Sequence, residues 1–399
     1  MNHPPAYEEH TNKPRPVINW DTPNGKWVGI AGYDWSDQLA SEVLKITGEF
    51  EHEVWQPDLR ADKIYSHTFE NGLTQRMFPA VEKPNKEITS SLMLTFYLSE
   101  DLKHQYIFHI SYPHFLGLNK ELMDTYHNDK FVLTFHGDTS LPFNALFRMQ
   151  RNPFKKIYYL KQHFSAKHYF KGVDHVTYQT EKNIGTLKRY YHGNLTKVTM
   201  GINTKKFRVI DKNECRGKLL IPKETKVLLT VSRLYNLKQV DKFIDILSKI
   251  KENFIFLVVG HGTSEYEEYL HLKAKNLSNK NRIRFEGYTT SNELVTYYNA
   301  ADLFIHVSKS EAGPVSIMEA MACGLPIFCT DTGNAAEVLR ANNAGIVVGI
   351  DNYKEWKEKL IDYLRGKTIK VLDVDIVKEH YDWKNIAGKF IKIYDQVKK

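Results

Sequence analysis

The stretch Ser310-Glu311-Ala312-Gly313-Pro314-Val315-Ser316-Ile317-Met318-Glu319-Ala320-Met321-Ala322-Cys323-Gly324 follows the apolar run Leu303–His306. Pro314 suits the first turn of a helix and Gly324 suits its end, so the spacing predicts strand, loop and then a helix over about Pro314–Cys323. The first amides of a helix have no intrahelical partner. With the helix dipole, those near Gly313–Ser316 make an anion site suited to a diphosphate. Glu311 precedes the helix, and Glu319 sits about one and a half turns inside it. Both carboxylates can accept hydrogen bonds from hydroxyls. An isolated glutamate is usually a solvated charge; the strand–loop–helix frame favours binding for this pair.

Outward from this stretch, short apolar runs alternate with amphipathic segments. Strands are expected at Val227–Val231, Phe254–Val259, Ile283–Glu286, Leu303–His306, Pro326–Cys329 and Gly345–Val347. Helices are expected between them, at Val240–Lys251 and Ser264–Leu277 among others. This alternation indicates βαβ units, a parallel sheet and helices on both faces. The first half repeats the pattern more loosely, at Pro16–Trp20, His52–Gln56, Tyr106–Ile110, Phe131–Phe135, His175–Tyr178 and Thr196–Thr199. Asn71-Gly72 marks a hairpin turn inserted near residue 70. The polar run Asn203–Gly217 separates the halves, and a last helix is expected at Trp383–Val397. The fold class is therefore α/β: two Rossmann-like doubly wound domains facing across a cleft. Ligands in such sheets bind outside the carboxyl ends of the strands.

Composition agrees with a chain of two domains. At 399 residues, 42 % hydrophobic and 13 % aromatic, it can build two sizeable cores. No run of about 18 apolar residues occurs, and Met1–Arg15 is polar and lacks the apolar segment of a signal peptide. A cytoplasmic protein is expected. Cys215, Cys323 and Cys329 have no metal-ligand spacing and read as reduced structural thiols. No P-loop, complete G-x-G-x-x-G or H-E-x-x-H is present, so no dedicated metal site is expected. Asn194-Leu195-Thr196 matches a glycosylation sequon that a cytoplasmic chain would not use.

Glu311 and Glu319, eight apart and followed by Ala-Met-Ala-Cys-Gly-Leu-Pro, resemble the E-x7-E motif of retaining GT-B glycosyltransferases, in particular glycosyltransferase family 4. Other segments match in the family's order. Ser232-Arg233-Leu234 with Lys238 is similar to its G-R-L…K segment, and Val259-Gly260-His261-Gly262 to its V-G-x-G turn. Arg284-Phe285-Glu286-Gly287-Tyr288 resembles the flank of its base pocket, and Ala301-Asp302-Leu303-Phe304 introduces the E-x7-E strand. In the first half, Phe135-His136-Gly137-Asp138 resembles the H-G or H-D element that approaches the donor sugar, and Met200-Gly201-Ile202-Asn203 the segment before the linker. Met200 stands there in place of Asn. Gly29-Ile30-Ala31-Gly32 replaces the family's paired glycines, and Ala312 stands where glycine is frequent. The resemblance covers residues 195–399 well and the first half weakly.

The resemblance implies a retaining, metal-independent, hexosyltransferase-type enzyme with no cofactor and a UDP- or GDP-linked sugar as donor. Arg233 and Lys238 would clamp the diphosphate, as cations stabilising a leaving group should. Glu311 and His136 would address the donor sugar, and Glu319 the ribose hydroxyls. Gly32, Gly260, Gly262, Tyr288, Gly313, Pro314, Val315 and Ser316 would complete the donor site. Residues 1–205 would form the acceptor-binding domain, with the C-terminal helix 382–399 packing back on it, and 206–381 the nucleotide-sugar-binding domain. The acceptor would be a glycan, a lipid-linked or another hydroxyl compound, in bacterial-type cell-surface polysaccharide or glycoconjugate synthesis. Two alternatives stay open: a nucleotide-sugar epimerase or phosphorylase on the same fold, and a non-catalytic nucleotide-sugar-binding protein.

One segment stands apart. Residues 139–173 contain seven Lys or Arg and no Asp or Glu, within a chain of net charge +8. Aromatic residues are interleaved from Phe143 to Phe170, and Pro153 divides the stretch into two expected helices. Such a segment fits an anionic membrane surface at residues 143–171. The bland alternative is a core-packed helix with a solvated basic face. No nucleic-acid-binding module is recognisable, so nucleic acid is not an expected partner.

Overall fold

The computed structural model describes residues 35–48, 52–59, 61–83, 88–99, 107–111, 118–126, 129–135, 153–275 and 282–398. The expected strand Pro16–Trp20, together with Gly32 and His136, lies outside them. The described chain forms two compact units. The first ends at Thr199 and takes in Trp383–Lys398; the second runs from Met200 to Asp382.

In the first unit, the strands are β1 (Glu53–Asp58), β2 (Tyr65–Thr68), β3 (Thr74–Pro79), β4 (Val81–Glu82), β5 (Ile88–Thr89), β6 (Ile107–Ser111), β7 (Lys130–Phe135), β8 (His175–Tyr178) and β9 (Asn194–Lys197). β6-β7-β8-β9 form a parallel sheet in that order. β1, expected as a strand of a doubly wound sheet, instead pairs with β3 in a three-stranded sheet of order β1-β3-β2. Arg76 on β3 grips Glu53 on β1 through two bonds of 2.7 Å, which fixes this pairing. The turn at Asn71-Gly72 joins β2 to antiparallel β3, with Gly72 at φ +85°. β9 starts two residues earlier than the Thr196–Thr199 expectation because His175 pairs with Asn194.

Alternation along β7 sorts the core of this unit. Phe131, Leu133 and Phe135 pack with Leu122, Ala166, Tyr169 and Phe170. His109 on β6, bonded to Thr134 on β7, meets the C-terminal helix Trp383–Lys398. His109 Nδ1 lies 2.8 Å from the Tyr394 hydroxyl, and its ring packs against Phe390.

The second unit holds β10 (Val227–Val231), β11 (Ile255–Val259), β12 (Ile283–Gly287), β13 (Leu303–His306), β14 (Ile327–Thr330) and β15 (Ile346–Val348). All neighbours are parallel, in the order β12-β11-β10-β13-β14-β15. Fully buried strands explain the continuous apolar runs in their sequences. Val227 and Leu229 pack toward the helices Ser291–Ala300, Val315–Ala322 and Gly333–Ala341. Leu228 packs on the opposite face, toward Val240–Leu247 and Trp356 of Tyr353–Leu364. The chain leaves β10 outward through β11 and β12, then returns to lay β13 on the other side of β10. The strand order reverses there, and the crevice between β10 and β13 is where a doubly wound sheet receives its ligand.

Asp302 anchors the start of β13. One oxygen accepts from Arg216 at 2.7 Å and from the Val227 amide at 2.8 Å; the other accepts from Lys212 at 2.9 Å. Arg216 is buried and also donates to the Ala300 carbonyl. The Ala301-Asp302 pair therefore ties the beginnings of β10 and β13 together. Cys215, Cys323 and Cys329 are buried free thiols.

Candidate active site

The site grows from the two loops at the reversal point. After β10 the chain continues through Ser232–Leu234 to a single 3-10 turn at Asn236–Lys238. After β13 it continues through Ser308–Pro314 into the helix Val315–Ala322. The loops are stitched together: Lys309 N and Ser308 Oγ both donate to the Leu237 carbonyl, at 2.8 and 3.1 Å. Gln239, next to Lys238, sits in the left-handed region at φ +52°. Its side-chain amide holds Asp351 and Tyr353, which offsets the strain of that conformation.

This stitching brings Lys238 and Glu311 into a partly buried ion pair through Glu311 Oε1. The same oxygen accepts from His306 Nε2 at 2.8 Å. Glu311 Oε2 makes no bond to any described residue. Burial alone would raise the Glu311 pKa, but His306 and Lys238 outweigh it and hold the carboxyl at about 2. Burial lowers the His306 pKa. A carboxylate can only accept, so the imidazole carries a proton on Nε2. Arg233 is exposed, and its guanidinium lies 5.6 Å from the Tyr235 ring centre; Lys238 Nζ lies 5.8 Å from the same ring. Both cations of this loop thus lie within cation–π reach of the Tyr235 ring.

Glu319 lies inside the helix, partly buried rather than turned to bulk solvent. The hydroxyl of fully buried Tyr298 donates to its Oε2 at 2.8 Å. Burial raises the Glu319 pKa to about 7, against the opposing pull of Tyr298 and the charge of Lys206. Pro314 is the capping residue rather than a member of the first turn, with φ −72° and ψ 96°. Its carbonyl accepts from the Ile317 amide at 3.0 Å. The unpaired first amides of this helix are therefore those of Val315 and Ser316, with Gly313 leading into them.

Gly260 and Gly262 have a structural task. A Cβ on Gly260 would lie 1.9 Å from the Ser232 carbonyl oxygen, and one on Gly262 would lie 1.8 Å from that of Leu234. Ser232 N bonds Val259 O at 3.1 Å, and Leu234 N bonds His261 O at 2.8 Å. The two glycines let the loop after β11 lie against the loop that carries Arg233. Tyr288, 56 % exposed, places its ring edge-on to His261 at 5.6 Å.

Within one unit the structure thus pairs Lys238 with Glu311 and sets Arg233 beside the same Tyr235 ring as Lys238, while Glu319, on the helix that follows Glu311, meets Tyr298. Sequence reasoning passed over His306, Tyr298 and Tyr235. His306 had a usable signal, a histidine closing an apolar strand five residues before Glu311. Tyr298 had none, because its partner lies 21 residues away on another helix. Among the described residues, no group of three or more His, Cys, Asp or Glu could hold a metal ion, and no helix is long and apolar enough to cross a membrane.

Residues 211–389 match the family model described as glycosyl transferases group 1. The chain is 27 % identical over 206 residues to the N,N'-diacetylbacillosaminyl-diphospho-undecaprenol alpha-1,3-N-acetylgalactosaminyltransferase of Campylobacter jejuni, covering 50 % of this chain and 53 % of that protein. It spans about half the length of the curated relatives it matches. Over the whole fold it resembles sucrose-phosphate synthase from Thermosynechococcus elongatus, with a TM-score of 0.72, 19 % identity and coverage of 91 % and 92 % of the two chains. It also resembles Anabaena HepE, solved in complex with UDP, with a TM-score of 0.64, 16 % identity and coverage of 82 % and 87 %. The fold is GT-B.

Proposed function

We propose, from the match of residues 211–389 to the glycosyl transferases group 1 model, that this chain is a member of that family and a retaining glycosyltransferase using a nucleotide-diphosphate sugar. The observation that supports this reading is the pairing of Lys238 with Glu311 at the strand-order reversal, with Arg233 beside the same Tyr235 ring as Lys238 and the Val315–Ser316 amides opening the helix that follows Glu311. Arg233, Lys238 and the amides stabilise the charge that grows on a departing diphosphate. Glu311 keeps Oε2 for a hydroxyl of the donor sugar, and Glu319 takes the ribose. The base is uracil or guanine. The acceptor hydroxyl attacks from the face of the leaving group, and a diphosphate oxygen takes its proton. No metal is needed, because the two side-chain cations and the helix amides neutralise the phosphates.

The acceptor is a glycan or a lipid-linked saccharide in cell-surface polysaccharide or glycoconjugate synthesis. What supports a membrane-proximal acceptor is the helix Pro153–Tyr169. Its buried side includes Ala166 and Tyr169, while Ile157, Leu160 and Phe164 are 62 %, 39 % and 68 % exposed. Their spacing places these three on one stripe. Lys156, Lys167 and Lys171 are exposed beside it. An outward face that is apolar as well as basic fits the interface of an anionic bilayer better than a solvated basic face does.

Incubation with a panel of UDP- and GDP-sugars, followed by melting-temperature shifts and product analysis, tests the reading. The expected outcome is stabilisation by one donor, slow donor hydrolysis without acceptor, and a product that keeps the donor's anomeric configuration. Conversion of the nucleotide sugar to its epimer, or phosphate-dependent release of the sugar, would replace transfer by the epimerase or phosphorylase alternative. Binding without any turnover would leave a nucleotide-sugar-binding protein.

A further inference from the structure

The roles assigned above leave one buried amide unused. Asn334 is 1 % exposed and stands at the start of the helix Gly333–Ala341. Its backbone N–H donates to the Ala312 carbonyl at 2.8 Å. Neither its Oδ1 nor its Nδ2 has a hydrogen-bond partner among the described residues. Burying an amide with no partner destabilises a fold, and an apolar side chain of similar shape would avoid that cost. Such a group in a folded protein calls for a specific reason.

Its position supplies one. The preceding residue, Gly333, has φ +69° and is packed under the loop that carries Glu311. A Cβ on Gly333 would lie 2.9 Å from Ala312 O, 3.1 Å from Glu311 Cβ and 3.1 Å from Pro314 Cδ. The absence of that Cβ lets the 333–334 backbone reach the Glu311–Pro314 loop. Asn334 is therefore next to the segment that offers Glu311 Oε2 and the helix amides.

We propose that Asn334 binds the donor sugar, its side-chain amide reading one hydroxyl of the hexose beside Glu311. The inference rests on the nucleotide-sugar reading above and adds a residue that sets which sugar is accepted. An amide offers a donor and an acceptor in fixed directions, and a hydroxyl is both; a carboxylate can only accept. Asn334 thus recognises a hydroxyl in one configuration. A site built to hydrogen-bond a hydroxyl discriminates strongly against the compound that misplaces it, because its buried polar atoms are then left unpaired.

The test compares wild type with Asn334→Leu, which keeps the branched shape and number of heavy atoms and removes the polar atoms, and with Asn334→Ala in case the bulkier leucine does not pack. Melting temperatures and affinities are measured for the free proteins, with UDP and GDP alone, and with UDP- and GDP-hexoses that differ at single hydroxyl configurations. The expected result has three parts. Wild type prefers one hexose over its epimers. The variants keep wild-type affinity for the nucleoside diphosphate but lose that preference, binding the favoured sugar at least tenfold more weakly. The free variants melt no lower than wild type, since no bonded group has been removed. Variants that retain the wild-type preference would overturn the proposal. So would variants that melt well below wild type and weaken the diphosphate and every sugar alike, the mark of a merely structural residue. Failure of the nucleotide-sugar reading is distinguishable: wild type itself would then bind neither diphosphates nor sugars, and the proposal would fall with it.

Discussion

His306 Nε2 donates to Glu311 Oε1 at 2.8 Å, from the last residue of β13 to the loop five residues on. Because Lys238 takes the same oxygen, the carboxylate is fixed by two partners while Oε2 stays open. Charge-assisted bonds of this kind orient a group as well as stabilising it. His306→Leu removes one partner without touching the phosphate clamp. We expect turnover to fall by roughly tenfold, the size of a lost hydrogen bond to a charged group, with UDP or GDP affinity within about twofold of wild type. A parallel loss of nucleotide affinity in equilibrium titration would contradict this placement of His306.

Glu319 gives the site a pH dependence. Its pKa of about 7 lies above the ordinary carboxylate value of 4.5. The folded state therefore keeps a proton that the unfolded chain has released, and the contribution of this group to stability declines as pH rises from 4.5 to about 7. Ribose hydroxyls donate to the ionised form, so donor affinity should strengthen over the upper part of that window and level off above it. Glu319→Gln should flatten both trends. Nucleotide titrations and melting curves from pH 5 to 8.5 check this; an affinity independent of pH in wild type would remove Glu319 from the ribose.

The loop that carries Arg233 depends on a glycine at the end of the neighbouring strand β11. Gly260→Ala would drive a methyl group into the Ser232 carbonyl, at a position with φ +128°. Both effects require backbone movement. We expect a loss of roughly 2 kcal/mol or more in denaturant unfolding, with donor affinity reduced through displacement of Arg233. Unaltered stability and affinity would show that the two loops can separate without consequence.

The outward stripe of the helix Pro153–Tyr169 should bind acidic bilayers. Co-sedimentation with vesicles of anionic phospholipid at low salt is expected for the wild type, with little binding to zwitterionic vesicles and release as salt rises. Replacing Ile157 and Phe164 together by Ser should reduce binding at least tenfold, since each buried side chain of this kind contributes about 1.5–3 kcal/mol. Equal binding by wild type and the double variant would end this assignment.

The acid side of the stability curve follows from the first unit. Burial lowers the pKa of His52 to about 4 and that of His109 to about 3. The unfolded chain protonates both near 6.5, so stability should fall as pH drops from about 6.5 toward 4. His109→Gln should lessen that fall, as read by melting temperature between pH 4 and 7.5; an unchanged acid limb would contradict the burial of this ring against Phe390.

What was legible in the sequence was local. Apolar runs bounded by turns located β10, β11, β12 and β13 to within a residue or two, because buried strands admit few polar residues. Glu311, Pro314, Glu319 and Gly324 marked a strand–loop–helix unit whose geometry depends only on neighbours along the chain. The family resemblance was carried by the same short-range spacings. It weakened in the first half, where β1 paired with β3 and not with the main sheet, since strand partners are chosen by contacts across long separations. Tertiary structure alone decided who meets whom. Lys238 reaches Glu311 across 73 residues because the chain returns from β12 to lay β13 beside β10. The same return buries His306, sets Tyr298 against Glu319 and leaves Asn334 enclosed without a partner. Residue type and spacing announce which groups can do chemistry; burial and sheet order determine their charge, their partners and the direction in which they act.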